Sequence, residues 1–282
     1  MNRRDFIKGV AGGIIGLGAA PEAIAIAATG RQAPFIPSRK YDPHIKDYLF
    51  KMQHFNRDFK EDVYLDLERF WLLKSCRERL NRLQETVGHG NFHLLGLDGA
   101  LRFARNYDAI GEFTRDELEF LEMIFYEDSV PYGFFGEKPF SKITDHVKKC
   151  DVAYVPGTGN FLYKGKASET YERIKKELGP RAILTSGVRS VMKQFLLFLN
   201  KAYHTKGNLS RASRSLAPPG YSFHSIGDFD VGQVGLGAAN FTERFTATAV
   251  FRELKERGYL KLRYPRNNML GVRFEPWHIG VV

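Results

Sequence analysis

The sequence predicts an α+β protein in which a mainly helical N-terminal region precedes a region of mixed helices and short strands. Three observations predict it. The 282 residues are 43% hydrophobic, enough for a sizeable core. Between about His44 and Tyr107 apolar residues follow the helical period: Val63, Leu67, Phe70 and Leu73 fall on one face, with Asp66, Glu68 and Arg69 between them. From Ser168 onward, helical stretches alternate with short β-prone runs bounded by glycine and proline turns.

The elements follow in order. Residues 29–43 contain Pro34, Pro37 and Pro43 and read as an extended linker. Thr114-Arg-Asp-Glu117 is an N-cap with acids in the first turn, leading into the helix LEFLEMIFY. GHGNFH brings His89 and His93 near Asp98, but its flanking glycines read as a loop, so a plain turn competes with a metal site there. Pro156-Gly-Thr-Gly-Asn160 is a turn cluster. Beyond it come a helix through ETYERIKKEL, a strand AILTSG, a helix VMKQFLLFLNKAYH and the turn Pro218-Pro219-Gly220. A helix from about Thr242 to Glu256 and a final strand GVRFEPWHIGVV complete the reading. The domain boundaries expected are a leader at 1–28, a helical accessory region at 29–160 and a second domain at 161–282.

The leader begins Arg3-Arg4-x-Phe6-x-Lys8 and runs into a Gly/Ala-rich apolar stretch ending in small-x-small triplets near Ala23, Ala25 and Ala27. This resembles a twin-arginine export signal, implying a periplasmic or other extracytoplasmic destination. Pro21 and Glu22 interrupt the apolar run well short of the ~20 residues a membrane span needs. Cleavage near residues 25–28 is therefore expected rather than a retained anchor, leaving about +9 of the formal charge of +10. That charge is spread along the chain, and no zinc-finger, RNP or KH pattern accompanies it, so a nucleic-acid partner is not expected. Cys76 and Cys150 form no Cys-x-x-Cys knuckle; an oxidising compartment leaves a disulfide and two buried thiols both open. The glycines at 232, 235 and 237 lack the strand and helix order of a dinucleotide loop.

Three C-terminal segments carry chemistry: Ser186-Gly-Val-Arg189-Ser with Gln194; Ser222-Phe-His224-Ser-Ile-Gly227-Asp-Phe-Asp230; and Glu275-Pro-Trp-His278. In an otherwise basic chain, the nine residues from Ser222 to Asp230 hold no lysine or arginine. Together the segments resemble the LAS superfamily of zinc peptidases, specifically the VanY-type D-alanyl-D-alanine carboxypeptidases. Their signature is Ser-x-His-x-x-Gly-x-x-Asp followed by Glu-x-Trp-His, and Tyr264-Pro265 is also similar to the family. The resemblance covers roughly residues 165–282. It implies a small antiparallel sheet with flanking helices, a Zn2+ cofactor, and peptidoglycan stem peptides as substrates.

The roles implied are His224, Asp230 and His278 as metal ligands, Glu275 as catalytic base, and Arg189, Gln194 and Ser222 as substrate contacts. Chemically the set is coherent. Hydrolytic zinc takes two imidazoles and a carboxylate and keeps a position for water, and a carboxylate beside that water can move its proton to the leaving nitrogen. An arginine forks onto a substrate carboxylate. Gly227 lets the chain turn between the first two ligands. Asp228 is a competing ligand on residue type alone, and the resemblance selects Asp230, leaving Asp228 as a surface or supporting acid. Glu275 and His278, three apart, face opposite ways in a regular strand, so both reach one site only if the backbone departs from regular pleating, and Pro276 lies between them. The expected activity is that of an exported zinc D-alanyl-D-alanine carboxypeptidase. The alternatives are an L,D-carboxypeptidase, a cross-link endopeptidase, or a non-catalytic zinc-stabilised wall-binding protein.

Overall fold

The computed structural model describes residues 45–282. The export signal and the proline-rich linker expected from the sequence lie outside the described residues. Five helices come first: α1 (Ile45–Gln53), α2 (Leu67–Val87), the single turn α3 (His89–Phe92), α4 (Leu97–Asn106) and α5 (Arg115–Tyr126). The β1 (Val152–Val155) and β2 (Asn160–Tyr163) hairpin follows, and the residue-160 boundary expected from the sequence falls at the start of β2. Then come α6 (Lys166–Leu178), β3 (Ala182–Ser186), α7 (Val191–His204), α8 (Leu209–Ser213), β4 (Phe229–Gln233), α9 (Ala249–Glu256) and β5 (His278–Ile279). Strands β3, β4 and β5 form one antiparallel sheet in that order. The described residues lie in one compact unit.

Several helices start where a side chain satisfies one of their first N–H groups. Asp66 caps α2 by accepting from the Arg69 N–H, and Ser190 caps α7 through the Lys193 N–H. Thr114 and Glu117 complete a reciprocal capping box on α5. Glu117 is buried, and it also receives Ser75 and the Arg79 guanidinium from α2. Burial pushes its carboxyl up, but the bonds from Arg79 and Ser75 outweigh this and hold it below the usual range.

Several sequence expectations change in the structure. The helical stretch from His44 to Tyr107 is broken into four helices. Val63 lies outside α2 because its backbone is bonded to α8: its N–H donates to Ser210 Oγ and its carbonyl accepts from Leu209. Leu67, in the first turn, is exposed, and the inward face of α2 is Leu73, Cys76, Leu80 and Leu83 instead. GHGNFH contains the turn of helix α3 rather than a plain loop. The expected helix over 242–256 is a 3-10 segment, Glu243–Ala247, and then α9, restarted by the Thr248 hydroxyl as N-cap. The expected final strand shrinks to two residues. Pro276 cannot donate, and Glu275 N–H is taken by Tyr264 O, so the ladder forms only at His278–Ile279.

One hydrophobic core joins the two halves of the described chain. Leu73, Leu80 and Leu83 of α2 and Phe120 and Ile124 of α5 share it with Phe195, Phe198 and Leu199 of α7. A second core lies between the sheet, α6 and α9. Cys76 is buried in α2 and Cys150 is exposed, and both are unbridged. Among the described residues no helix is long and apolar enough to cross a membrane.

Candidate metal centre and active-site cavity

The sheet itself aligns two of the three expected ligands. Asp230 sits opposite His278 across β4 and β5 and opposite Ser186 across β3, so these residues form a row on one face. His224 arrives from a 3-10 turn just before β4. The chain gets from that turn into the strand through Gly227, whose φ of 148° is unfavourable for any residue with a Cβ.

Each histidine is fixed by an acceptor behind its ring. His224 Nδ1 lies 2.8 Å from Gly187 O; a carbonyl only accepts, so Nδ1 carries the hydrogen and Nε2 the lone pair. Gly187 in turn packs against β2 so closely that a Cβ there would lie 2.0 Å from Phe161 O. His278 Nε2 lies 3.1 Å from Asp228 Oδ2, which leaves Nδ1 directed the other way. Asp228 is fully buried, receives Arg263 and the N–H of Val281, and orients the ring rather than offering itself to the same centre. The surface role considered for it does not apply.

The inward atoms converge. His224 Nε2 is 3.2 Å and His278 Nδ1 3.3 Å from Asp230 Oδ1, and one donor atom from each residue lies within 4.8 Å of the others. His224 Nε2 and Asp230 Oδ1 are buried with no hydrogen-bond partner. Lone pairs gathered this way call for a shared cation. Two imidazoles and a carboxylate, with their outer atoms oriented by a carbonyl and a carboxylate, fit a divalent ion of the zinc type.

The electrostatics agree. Burial and the nearby Arg189 push His224 down to about 4, so it is neutral. Burial also works to lower His278, but Asp228 and Asp230 on either side of the ring overcome it and raise the group to about 9. Without a metal, a proton on His278 therefore takes the cation's place. Burial works to raise Asp230, but the charges of Arg189 and of the protonated His278 hold it well below its usual range.

Glu275 joins this centre with Oε2 3.8 Å from His278 Nδ1. It is buried, and desolvation raises its carboxyl to about 7. The segment before β5 is not pleated: His278 N–H turns back onto Glu275 O, which puts residues three apart on the same side. Trp277 between them is buried in the core under the sheet. Tyr264 packs its ring edge-on to His278 at 5.2 Å.

A cavity of about 470 Å³ opens onto the cluster, and the expected substrate-contact residues line it. Ser222 is buried on its wall. Gln194 donates to Ala217 O at 2.6 Å, while its buried Oε1 accepts nothing. Arg189 is more engaged than its sequence role implies. Nη2 donates to Asp230 Oδ2 at 2.7 Å and Nε to Ser186 Oγ at 2.9 Å, leaving the guanidinium's three other N–H groups. Sequence reasoning missed four ionisable residues of the wall: His93, Lys193, Lys201 and Arg273. His93 comes from the helical region; its Nδ1 pairs with Val188 O, and burial lowers it to about 4. His89, His93 and Asp98 do not gather as ligands, and His224, Asp230 and His278 are the metal-competent group found among the described residues.

Residues 165–282 match the family model for VanY, D-alanyl-D-alanine carboxypeptidase. No curated protein matches the chain significantly. Three solved structures are similar to part of the chain. A Glu-to-Ala mutant of the vancomycin-resistance D,D-pentapeptidase VanY from the VanB-type resistance cassette, in complex with Zn(II), is 24% identical with a TM-score of 0.36, over 45% of this chain and 75% of that one. VanYB in complex with D-alanine-D-alanine is 26% identical with a TM-score of 0.37, over 46% and 77%. The LdcB LD-carboxypeptidase is 23% identical with a TM-score of 0.38, over 56% and 70%. The stretch 165–282, which carries the three converging donor residues and Glu275, is the part of the chain that is similar to the VanY D-alanyl-D-alanine carboxypeptidase family.

Proposed function

We propose that the protein is an exported zinc-dependent peptidase that hydrolyses peptidoglycan stem peptides as a D-alanyl-D-alanine carboxypeptidase. The observation that carries this reading is the meeting of His224 Nε2, Asp230 Oδ1 and His278 Nδ1 beside the buried carboxylate of Glu275. When bound, zinc supplies a Lewis acid for the scissile carbonyl and makes a water more acidic. The chain's own groups do the rest. Asp228 and Gly187 O hold the two imidazoles in the tautomers that ligation needs. Glu275 takes the proton of the attacking water on its carboxylate and returns it to the leaving amine nitrogen. Its burial makes it basic enough for that exchange. The remaining donors of Arg189 hold the substrate's terminal carboxylate, and Gln194 Oε1 and the Ser222 hydroxyl take its amide groups. The cavity is sized for the end of a short peptide.

Export by the twin-arginine route is supported by Arg3-Arg4-x-Phe6-x-Lys8. Replacing both arginines by lysine should retain the protein inside the cell, and unchanged secretion would remove the route. The reaction is tested by metal analysis together with a muropeptide digest, on wild type and His278→Ala. One zinc per chain and products lighter by a single alanine are expected, with both lost in the variant. Fragments cut within a cross-link or at an L,D bond would instead indicate an endopeptidase or L,D-carboxypeptidase. Activity that persists after the metal is stripped would overturn the reading.

A further inference from the structure

The reaction proposed above leaves one group of the cavity wall unused. His93 follows the turn of helix α3, in the helical region and outside the stretch 165–282 that matches the family. It grips the chain on either side of Arg189. Nδ1 lies 3.1 Å from Val188 O, and the Ser190 N–H donates to His93 O at 2.8 Å. Ser190 Oγ also donates to Phe92 O, at 3.2 Å. Arg189 is thus fixed between two residues bonded to His93, and both His93 and Arg189 line the cavity.

A carbonyl only accepts, so Nδ1 carries the ring's hydrogen and Nε2 the lone pair. Burial, with the cations Lys193 and Arg189, lowers the group to about 4, which keeps the ring neutral at ordinary pH. Among the described residues no group donates to Nε2, and the atom is not sealed in the interior. The Lys193 ammonium beside Phe92 donates to Gln84 Oε1 instead. A lone pair in this place calls for an N–H. Carboxylates and carbonyl oxygens of a substrate only accept; the amide nitrogens are the donors of a peptide backbone. With the terminal carboxylate on Arg189, the nearest such donor is the N–H of the same residue, on the carbon that bears the carboxylate. In a carboxypeptidase that N–H belongs to the amide being cut.

We propose that His93 Nε2 accepts the N–H of the scissile amide and thereby makes the site select an amide over an ester at that bond. The inference rests on the peptidase reading above and deepens it. The contact holds the hydrogen of the nitrogen toward His93, so the nitrogen's own lone pair, freed as the carbonyl carbon becomes tetrahedral, is left for the proton that Glu275 returns. No bond to His93 forms or breaks: the hydrogen stays on nitrogen, which leaves as the amine with the proton Glu275 took from water. A substrate with oxygen in place of the N–H sets an acceptor against an acceptor and displaces the water that otherwise pairs with Nε2.

The test uses the full zinc-loaded chain, an N-acetylated peptide ending in D-Ala-D-Ala, and the ester in which oxygen replaces its last N–H. Binding is measured by calorimetry in the Glu275→Gln protein, so that neither ligand is consumed, and turnover in the chain with Glu275 intact. The amide should bind about tenfold tighter than the ester, or about 1.4 kcal/mol. His93→Phe, which keeps a ring and removes both nitrogens, should bring that ratio to about twofold or less, with His93→Leu as a second variant should the first not fold. Both variants also lose the bond to Val188 O, so a purely structural role predicts that amide and ester weaken equally and the ratio stays. That outcome, or equal binding of the two ligands with His93 in place, would overturn the contact. A His93-dependent preference for the amide with no bond cleaved by the Glu275-intact chain would sink the peptidase reading and leave the contact standing. Absence of binding by both ligands would sink both.

Discussion

At the residue scale, Glu275 decides whether this centre performs chemistry or only binds metal. Its carboxyl rises from an ordinary 4.5 to about 7 because the surrounding protein strips it of water. It works as a base only when ionised, so kcat/KM should climb with pH along an acid limb. A bound dication stabilises the carboxylate, so that limb should fall between 4.5 and about 7. Glu275→Gln keeps the shape and removes the base. It should lower kcat by roughly 10²- to 10⁴-fold while zinc content stays the same; unchanged turnover would identify a non-catalytic zinc protein. His278 makes a separate prediction. Raised to about 9 between two carboxylates, it must lose its proton to ligate. Zinc affinity from chelator competition should therefore rise about tenfold per pH unit below that value and flatten above it. A pH-independent affinity would mean that His278 is not a ligand.

At the scale of elements, α7 links the two halves of the described chain. Its Ser190 cap also donates from Oγ to Phe92 O, and the Ser190 N–H donates to His93 O, tying the helix start to α3. Phe195 is buried completely and packs near Phe125 of α5 at 6.3 Å. Phe195→Ala should cost about 3–5 kcal/mol in chemical denaturation; a loss under about 1 kcal/mol would mean that this seam carries little of the stability. Most of this region was legible in the sequence. The run VMKQFLLFLNKAYH matches α7 from end to end, and Thr114 with Glu117 marks the start of α5. What misled was local pattern without tertiary context. Val63 and Leu67 share the period of α2, yet α8 claims the backbone of one and the other lies in the first turn, away from the core. GVRFEPWHIGVV has strand composition, but its proline and the Tyr264 contact break the ladder. The three residues that converge at the candidate metal centre were readable because they lie in compact motifs. His93, Lys201 and Arg273 were not, because nothing near them in sequence says that α3, α7 and the segment before β5 meet at one cavity.

For the molecule as a whole, the helical region is part of the site's framework. It supplies His93 to the cavity wall, Gln84 to Lys193, and the inward faces of α2 and α5 to the core that α7 completes. A fragment limited to residues 161–282 would expose Phe195, Phe198 and Leu199 to water. That fragment should lack cooperative unfolding in calorimetry and should bind zinc weakly, whereas the full chain should melt as one unit. A fragment that melts cooperatively and binds zinc as tightly as the full chain would show the helical region to be dispensable. The account as a whole depends on one ion joining strands β4 and β5 to the turn before them. Zinc-edge X-ray absorption on the loaded full chain tests this most directly. It should show nitrogen and oxygen neighbours at about 2.0–2.2 Å, outer-shell scattering from two imidazoles, and no sulfur. A single imidazole, or a thiolate from Cys76 or Cys150 in the shell, would contradict it.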